Sequence, residues 1–310
     1  MEETMDTLIK LLVQAKLDPE RIIPRAVMAR YTTFHIGGPA DVLVNIAAPS
    51  EIPLVLRAAK LADAPVTLIG NGSNVLVRDG GIRGLVIRID GMMAAIHREG
   101  DSLHVQSGAL MRSAANFAMN EGLSGLEEIA GIPGTVGGGV IMNAGAYGGE
   151  MSQVVTRVDA ISLSDGKPVS FEGDALGFSY RHSAMMRAGV VVTDVTMQLR
   201  PGDPAQIKAR MDELAKARRE KQPLEYPSAG STFKRPEGYF AAKLIDDCGL
   251  RGLSVGDAQV SEKHAGFVIN RGSARASDVL ELMEQIKTRV FAAYGVTLEP
   301  EIRILGEDAH

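Results

Sequence analysis

Two glycine-rich segments carry residue types whose spacing suits chemistry. In Gly70-Asn71-Gly72-Ser73-Asn74, glycines alternate with short polar side chains. Backbone N–H groups in such a stretch can converge on an anion while Ser and Asn add donors, which makes a phosphate nest. A tight connection between strands is the plainer reading of the same residues. The G-x-G-x-x-G spacing of a dinucleotide fingerprint is missing, as is the G-K-[ST] of a P-loop. The second segment, GIPGTVGGGVIMNAGAYGG, runs from Gly131 to Gly149. Each glycine costs roughly 0.5–1 kcal/mol relative to alanine in a regular element, so a dense run implies close approach of the backbone to something. A bulky, flat cofactor bearing a pyrophosphate would satisfy both segments together. A buried glycine-rich crossing between domains is the alternative.

Single polar residues say less by pattern alone. Glu301 and Arg303 are spaced to share one face of an expected strand, with Ile302 and Ile304 on the other. In isolation that is a solvated strand face. Arg181, in Tyr180-Arg181-His182-Ser183, reads by itself as a surface salt-bridge residue. Ser231 follows Gly230 as a turn serine would, and no G-x-S-x-G elbow surrounds it. His35, His182 and His264 lack metal-ligand spacing, so no metal is expected. The single cysteine, Cys248, excludes an internal disulfide and a cysteine cluster, and points to a reducing compartment.

The elements that must position these residues mix helix and strand throughout, which makes the class α+β. A short amphipathic helix is expected over 4–16, and another over 51–62 with Ser50 as its N-cap. Strands are expected at Val66–Ile69 and Leu85–Ile89 around a glycine-rich turn, at Leu103–Gln106, and at Gly189–Leu199. Residues 109–121 read as a helix closed by Gly122. Residues 131–149 look too glycine-dense for any regular element. A hairpin is expected where RVDAISLS meets PVSF through Asp165-Gly166. Pro201-Gly202-Asp203-Pro204 is the best domain boundary, ahead of a charged helix over 205–220. Asp278 and Glu281 fit a capping box before a helix that Gly295 closes, and LEPEIRIL alternates as a final strand.

Composition limits the function classes. With 310 residues the chain is long enough for two or three domains and an enclosed ligand site. The net charge of −5, with Lys and Arg dispersed, argues against nucleic acid as a partner. The start, MEETMDTLIKLL, is acidic where a signal peptide would be basic, and no apolar run reaches the ~20 residues that cross a bilayer. The expectation is a cytoplasmic protein with no membrane insertion and no obligate protein partner.

The order of motifs is specific. YTTFHIGGPA (31–40), GNGSN (70–74), GIPGTVGG with NAGAYG (131–148), YRHS (180–183), GSTFKRP (230–236), HAGFVIN (264–270) and LEPEIRILG (298–306) together resemble the UDP-N-acetylenolpyruvoylglucosamine reductases (MurB) over nearly the whole chain. The first glycine pair is shared with flavoproteins of the vanillyl-alcohol oxidase type. YRHS, GSTF and EIR point to MurB itself. The lack of an inserted loop after YRHS resembles the family's shorter, second type.

The resemblance implies an N-terminal helix (1–20), a two-part FAD-binding fold (21–88 and 89–200, with 298–310 returning to the flavin region) and a substrate-binding domain (201–297). It implies non-covalent FAD held by Ile69, Gly70, Asn71, Gly72, Ser73, Asn74, Val75, Gly131, Ile132, Pro133, Gly134, Thr135, Gly137, Gly138, Ile141, Asn143 and Gly145. NADPH would reduce the flavin, and the enolpyruvyl ether of UDP-N-acetylglucosamine would then be reduced to UDP-N-acetylmuramate for peptidoglycan synthesis. That places the chain in cell wall biogenesis, cell shape, cell cycle and cell division. Hydride from flavin N5 would reach C3, and Ser231 would give the proton at C2. Arg181 would clamp the carboxylate on which charge develops. Glu301 would have to act neutral or share a proton, which calls for a carboxyl pKa raised by burial, while Arg303 would oppose that shift. Tyr147, Lys221, Arg235 and His264 would bind the UDP and sugar portions, with His264 equally readable as a buried, satisfied histidine, and Arg303 would also bind substrate. An oxidase of small alcohols or sugars on the same FAD fold, and a non-catalytic nucleotide-sugar or flavin binder, are the competing readings.

Overall fold

The computed structural model describes residues 2–309. Contacts divide the chain into two compact units, each assembled from separated stretches. The first comprises residues up to Pro24, Val42–Asn71 and Gly84–Arg218; the second comprises Arg25–Asp41, Gly72–Arg83 and Arg219 onward. The mixture of helix and strand confirms the α+β class.

In the first unit, α1 (Glu2–Gln14) and α2 (Ile52–Leu61) pack on a four-stranded sheet with strand order 22–27, 39–46, 82–89, 66–69. Leu8 and Leu12 of α1 lie on one helical face and meet Val55 of α2 and the strand residues Val42, Val44, Leu85 and Ile87, all buried. Full burial of each such side chain contributes about 1.5–3 kcal/mol. Ser50 is not the cap of α2, because it lies in a 3₁₀ turn, Pro49–Glu51. Glu51 receives Arg21 Nη1 and Nη2 at 2.7 Å each and the Ala47 N–H at 2.9 Å, a bidentate pairing that fixes the approach to the helix.

A five-stranded antiparallel sheet follows, ordered 168–172, 155–162, 190–198, 102–106, 96–99. The expected hairpin is its 155–162/168–172 pair. Strand Ile96–Glu99 was not anticipated: only Ile96 is apolar, so alternation carries little signal there. The sheet's inner face, with Leu103, Val105, Val158, Ala160 and Val195, is covered by α3 (Met111–Asn120) and α4 (Val136–Ile141). The unit is completed by α5 (Met185–Ala188) and most of α6 (Pro204–Lys221).

The glycine-dense stretch therefore does contain a regular element, α4, contrary to expectation. Helix propensity is overridden by tertiary packing: the Val136 N–H donates to Ala109 O at 2.7 Å and the Gly137 N–H to Ser107 O at 2.8 Å.

In the second unit, α7 (Ala241–Asp247) and α8 (Ala276–Tyr294) share a core with the antiparallel strands 254–255, 258–260 and 268–270. Gly295 ends α8 with φ +66, as expected. The helix begins earlier than the sequence suggested, and Asp278 is its third residue rather than its cap; Asp278 Oδ2 accepts the Arg275 N–H at 2.9 Å. The expected final strand is confined to Arg303–Leu305 and pairs in parallel with Val75–Val77. Gly70–Asn74 is thus not by itself a tight connection between the two strands. Val66–Ile69 and Ile82–Ile89 lie parallel, and the link between them carries a strand of its own.

Candidate functional site

The first unit brings part of both glycine segments together. Asn71 Nδ2 donates to Pro133 O at 2.6 Å, and a Cβ on Gly70 would stand 2.4 Å from Thr135 Oγ1. Thr135 caps α4 by accepting the Gly138 N–H at 3.3 Å. Gly137 faces Ser107 so closely that a Cβ would lie 2.7 Å from the serine Cβ. Part of the glycine density is therefore demanded by the protein's own packing. Gly138 is different: it is exposed, and a Cβ there would meet only Thr135 Oγ1, at 3.4 Å. Beside it, Ser107 is 2% exposed and its Oγ has no hydrogen-bond partner. Open glycine backbone at Gly138 and a buried hydroxyl in want of a partner fit a ligand that lies against the main chain, as a flavin nucleotide does.

Arg181 stands at the tip of a two-residue reversal. The Ser179 and His182 N–H groups each donate to the other's carbonyl, at 3.0 and 3.1 Å. Arg181 takes φ +53, a left-handed conformation unusual for a residue with a side chain. Tyr147 (φ +52) and Asn143 (φ +42) share it. Such strain persists only where surrounding structure over-determines it, and it gathers at functional positions. The restraint here is visible. Buried Asn143 donates to Ser179 O at 3.1 Å and accepts from the Ser152 N–H at 2.9 Å. Ser183, fully buried, donates through Oγ to Ile141 O at 2.9 Å, and Arg181 Nη2 reaches Gly145 O at 3.3 Å. The Arg181 turn is thus tied to the end of α4 and to the glycine run beyond it.

The second unit holds Ser231, Glu301 and Arg303. The Glu301 N–H donates to the carbonyl of Thr232, the residue after Ser231, at 2.9 Å. Asn74 Nδ2 donates to Glu301 O at 3.1 Å, and the Arg303 N–H to Asn74 O at 2.9 Å. The end of the first glycine segment, the serine loop and the EIR motif are therefore joined. Ser231 is exposed, between buried Ala229 and Thr232, with Gly230 at φ +78. Glu301 is half-buried and a bend at Ile302 separates it from the strand, so the regular strand begins only at Arg303.

The remaining expected residues are more scattered. Lys221 and Arg235 are exposed in the second unit, with the Arg235 guanidinium 3.9 Å from the centre of the Phe240 ring. His264 Nδ1 accepts the Gly266 N–H at 3.1 Å, which leaves Nε2 to carry the proton, and the ring meets Phe267 edge-on at 5.0 Å. Burial depresses its pKa, aided by the charge of Arg251 and opposed by a backbone hydrogen bond. Those contacts are those of a satisfied histidine. Among the described residues no group of three or more His, Cys, Asp or Glu could hold a metal ion, and no helix is long and apolar enough to cross a membrane.

Three residues that pattern reading passed over matter to this architecture. Ser107 is one. Asp79 is another: its carboxylate accepts the Ala276 and Ser277 N–H groups at 2.8 and 3.0 Å and so caps α8 from a distant part of the chain. Arg218 is the third; half-buried on α6, it donates through Nη1 to Gly131 O. The local run Arg218-Arg219-Glu220-Lys221 gave no reason to separate Arg218 from a solvated helix face.

Residues 40–172 match the family described as FAD binding domain, and residues 222–305 match UDP-N-acetylenolpyruvoylglucosamine reductase, C-terminal domain. The chain is 48% identical to the UDP-N-acetylenolpyruvoylglucosamine reductase of Clostridium novyi, over 100% of this chain and 99% of that protein. It is 51% identical to the enzyme of the same name from Agathobacter rectalis, over 90% and 92% of the two chains. A crystal structure of UDP-N-acetylenolpyruvylglucosamine reductase from Thermus caldophilus superposes with a TM-score of 0.79 at 37% identity, covering 92% of this chain and 98% of that one. The resemblance carried by the sequence motifs is therefore borne out: this chain belongs to the UDP-N-acetylenolpyruvoylglucosamine reductase (MurB) family of oxidoreductases, with a FAD-binding domain ahead of the family's C-terminal domain.

Proposed function

We propose that the chain binds FAD non-covalently, takes reducing equivalents from NADPH, and converts UDP-N-acetyl-3-O-(1-carboxyvinyl)-glucosamine to UDP-N-acetylmuramate. The setting is cytoplasmic peptidoglycan synthesis, through which the activity supports cell wall biogenesis, shape and division. The working domains are 21–88 and 89–200 for the flavin, with 298–310 returning to it, and 201–297 for the substrate. Ile69–Val75, Gly131–Thr135, Gly137, Gly138, Ile141, Asn143 and Gly145 hold the cofactor. The observation that carries the reading is the hydrogen bond from the Glu301 N–H to Thr232 O, which keeps the carboxyl group and the Ser231 hydroxyl on adjoining backbone.

When bound, the flavin supplies hydride to C3 of the enolpyruvyl group. Charge left at C2 spreads into the adjoining carboxylate as an enediolate. The Arg181 guanidinium meets that carboxylate with a planar pair of donors, and its strained, pinned turn keeps the charge in place before the reaction begins. Ser231 gives its hydroxyl proton to C2; a carbanion-like centre is basic enough to take it. Glu301 hydrogen-bonds the same enediolate. Lys221, Arg235 and Arg303 supply positive charge for the diphosphate and carboxylate, while Tyr147 and His264 line the nucleotide-sugar side.

An anaerobic sequence of additions tests this. Purified protein should show a flavin spectrum that bleaches with NADPH and returns only when the enolpyruvyl nucleotide sugar is added, and acid denaturation should release free FAD. Reduced flavin that never reoxidises with this substrate would shift the reading to an oxidase on the same fold. Protein that binds the nucleotide sugar without consuming NADPH would reduce it to a binder.

A further inference from the structure

Arg218 occupies an unusual electrostatic position. It lies on α6, half-buried against the start of the second glycine segment, where a Cβ on Gly131 would come within 3.0 Å of its Nη1 and 3.3 Å of its Cδ. Its guanidinium has five N–H donors. Among the described residues, one protein acceptor is recorded for them, Gly131 O. Among the described residues no carboxylate pairs with it; burial depresses its pKa, and the Tyr147 phenol opposes that shift. Its helix neighbours differ. Arg210 pairs with Glu213 and Glu128, and Lys208 with Asp212. A half-buried cation with no counter-charge is unfavourable unless an anion completes it. A guanidinium fork matches phosphate oxygens in geometry as well as charge.

We propose that Arg218, seated on the Gly131 carbonyl, binds the diphosphate of a nucleotide ligand. The assignment rests on the function proposed above, whose ligands FAD and the UDP-sugar both carry diphosphates. The glycine segment supplies main-chain contacts on one side, and Arg218 supplies the charge that α4 and its glycines lack.

Arg218→Gln tests the assignment, because glutamine keeps a donor for Gly131 O while removing the charge. One arm titrates FAD into apoprotein and follows flavin fluorescence; the other titrates UDP, a redox-inert probe, into the flavin-loaded protein. The expected result is a Kd about 10- to 100-fold weaker in one arm, with that arm less sensitive to salt and the melting temperature of the ligand-free protein unchanged. Loss in the FAD arm assigns the cofactor diphosphate, and loss in the UDP arm assigns the nucleotide sugar. Wild-type binding in both arms with an unchanged variant overturns the assignment alone. Equal loss in both arms with a lowered melting temperature marks a fold defect and overturns it too. Wild-type protein that binds neither FAD nor UDP overturns the proposed function, and this assignment with it.

Discussion

The Arg181 turn and the Ser231 loop hold their key side chains by different means. Arg181 sits in a left-handed conformation, and side chains from Asn143 and Ser183 tie its turn to main-chain oxygens on either side. Ser231 is exposed, and its neighbourhood is fixed through backbone bonds of Thr232 to Gly266 and Glu301. The difference suits the tasks proposed for them. An electrostatic clamp is effective in proportion to how little it must reorganise, so strain there is tolerated. A proton donor needs access, and exposed Ser231 after Gly230, at φ +78, has it.

The largest expected effect would fall on the serine side. Ser231→Ala should leave flavin reduction by NADPH nearly intact and slow reoxidation by the substrate by ~10²–10⁴-fold. Stopped-flow traces of the two half-reactions check this, and equal loss in both would remove Ser231 from the role. Glu301→Gln should retain more of the reoxidation rate than Glu301→Ala, because the amide keeps a donor; identical losses would contradict a donor role.

On the pinned side, Gly137→Ala should destabilise the protein by about 1–3 kcal/mol, since the new Cβ has no room beside Ser107. A denaturant melt with a matched loss of FAD affinity would tie packing to cofactor binding. Affinity lost at unchanged stability would mean the glycine serves the ligand directly.

Asp79→Ala should cost about 0.5–2 kcal/mol by uncapping α8. Burial raises the Asp79 pKa, but hydrogen bonds from Ser277 and Ala276 and the charge of Arg275 outweigh it, so the net shift is downward. The cap's contribution is therefore complete above the unfolded pKa of ~3.9 and lost as pH falls through the lower folded value. The smallest effect concerns His264. Its folded pKa lies below the ordinary value, so the unfolded chain binds more protons in the interval between the two. Its contribution is complete above pH ~6.5 and declines as pH falls toward the folded pKa. His264→Phe should flatten that part of the stability profile; an unchanged slope would place the pH dependence elsewhere.

The family was legible because motif order is a property of the chain itself. Gly70–Asn74, Gly131–Gly149, Tyr180–Ser183 and Gly230–Pro236 announced a flavin reductase before any element was placed. Helical spacing of apolar residues also located α1 and most of α8. Elements stabilised by distant partners escaped. Helix α4 exists because Ser107 and Ala109 accept its first N–H groups, against the local preference of three consecutive glycines. Strand Val75–Val77 exists because Arg303–Leu305 lies beside it. Asp79 became a cap and Arg218 a half-buried cation only through contacts with residues far along the chain. Residue type and order thus determined the chemistry this chain has available. Tertiary structure decided which backbone groups were already satisfied and which charges were left without a partner, because hydrogen bonding and burial depend on neighbours that local sequence does not specify.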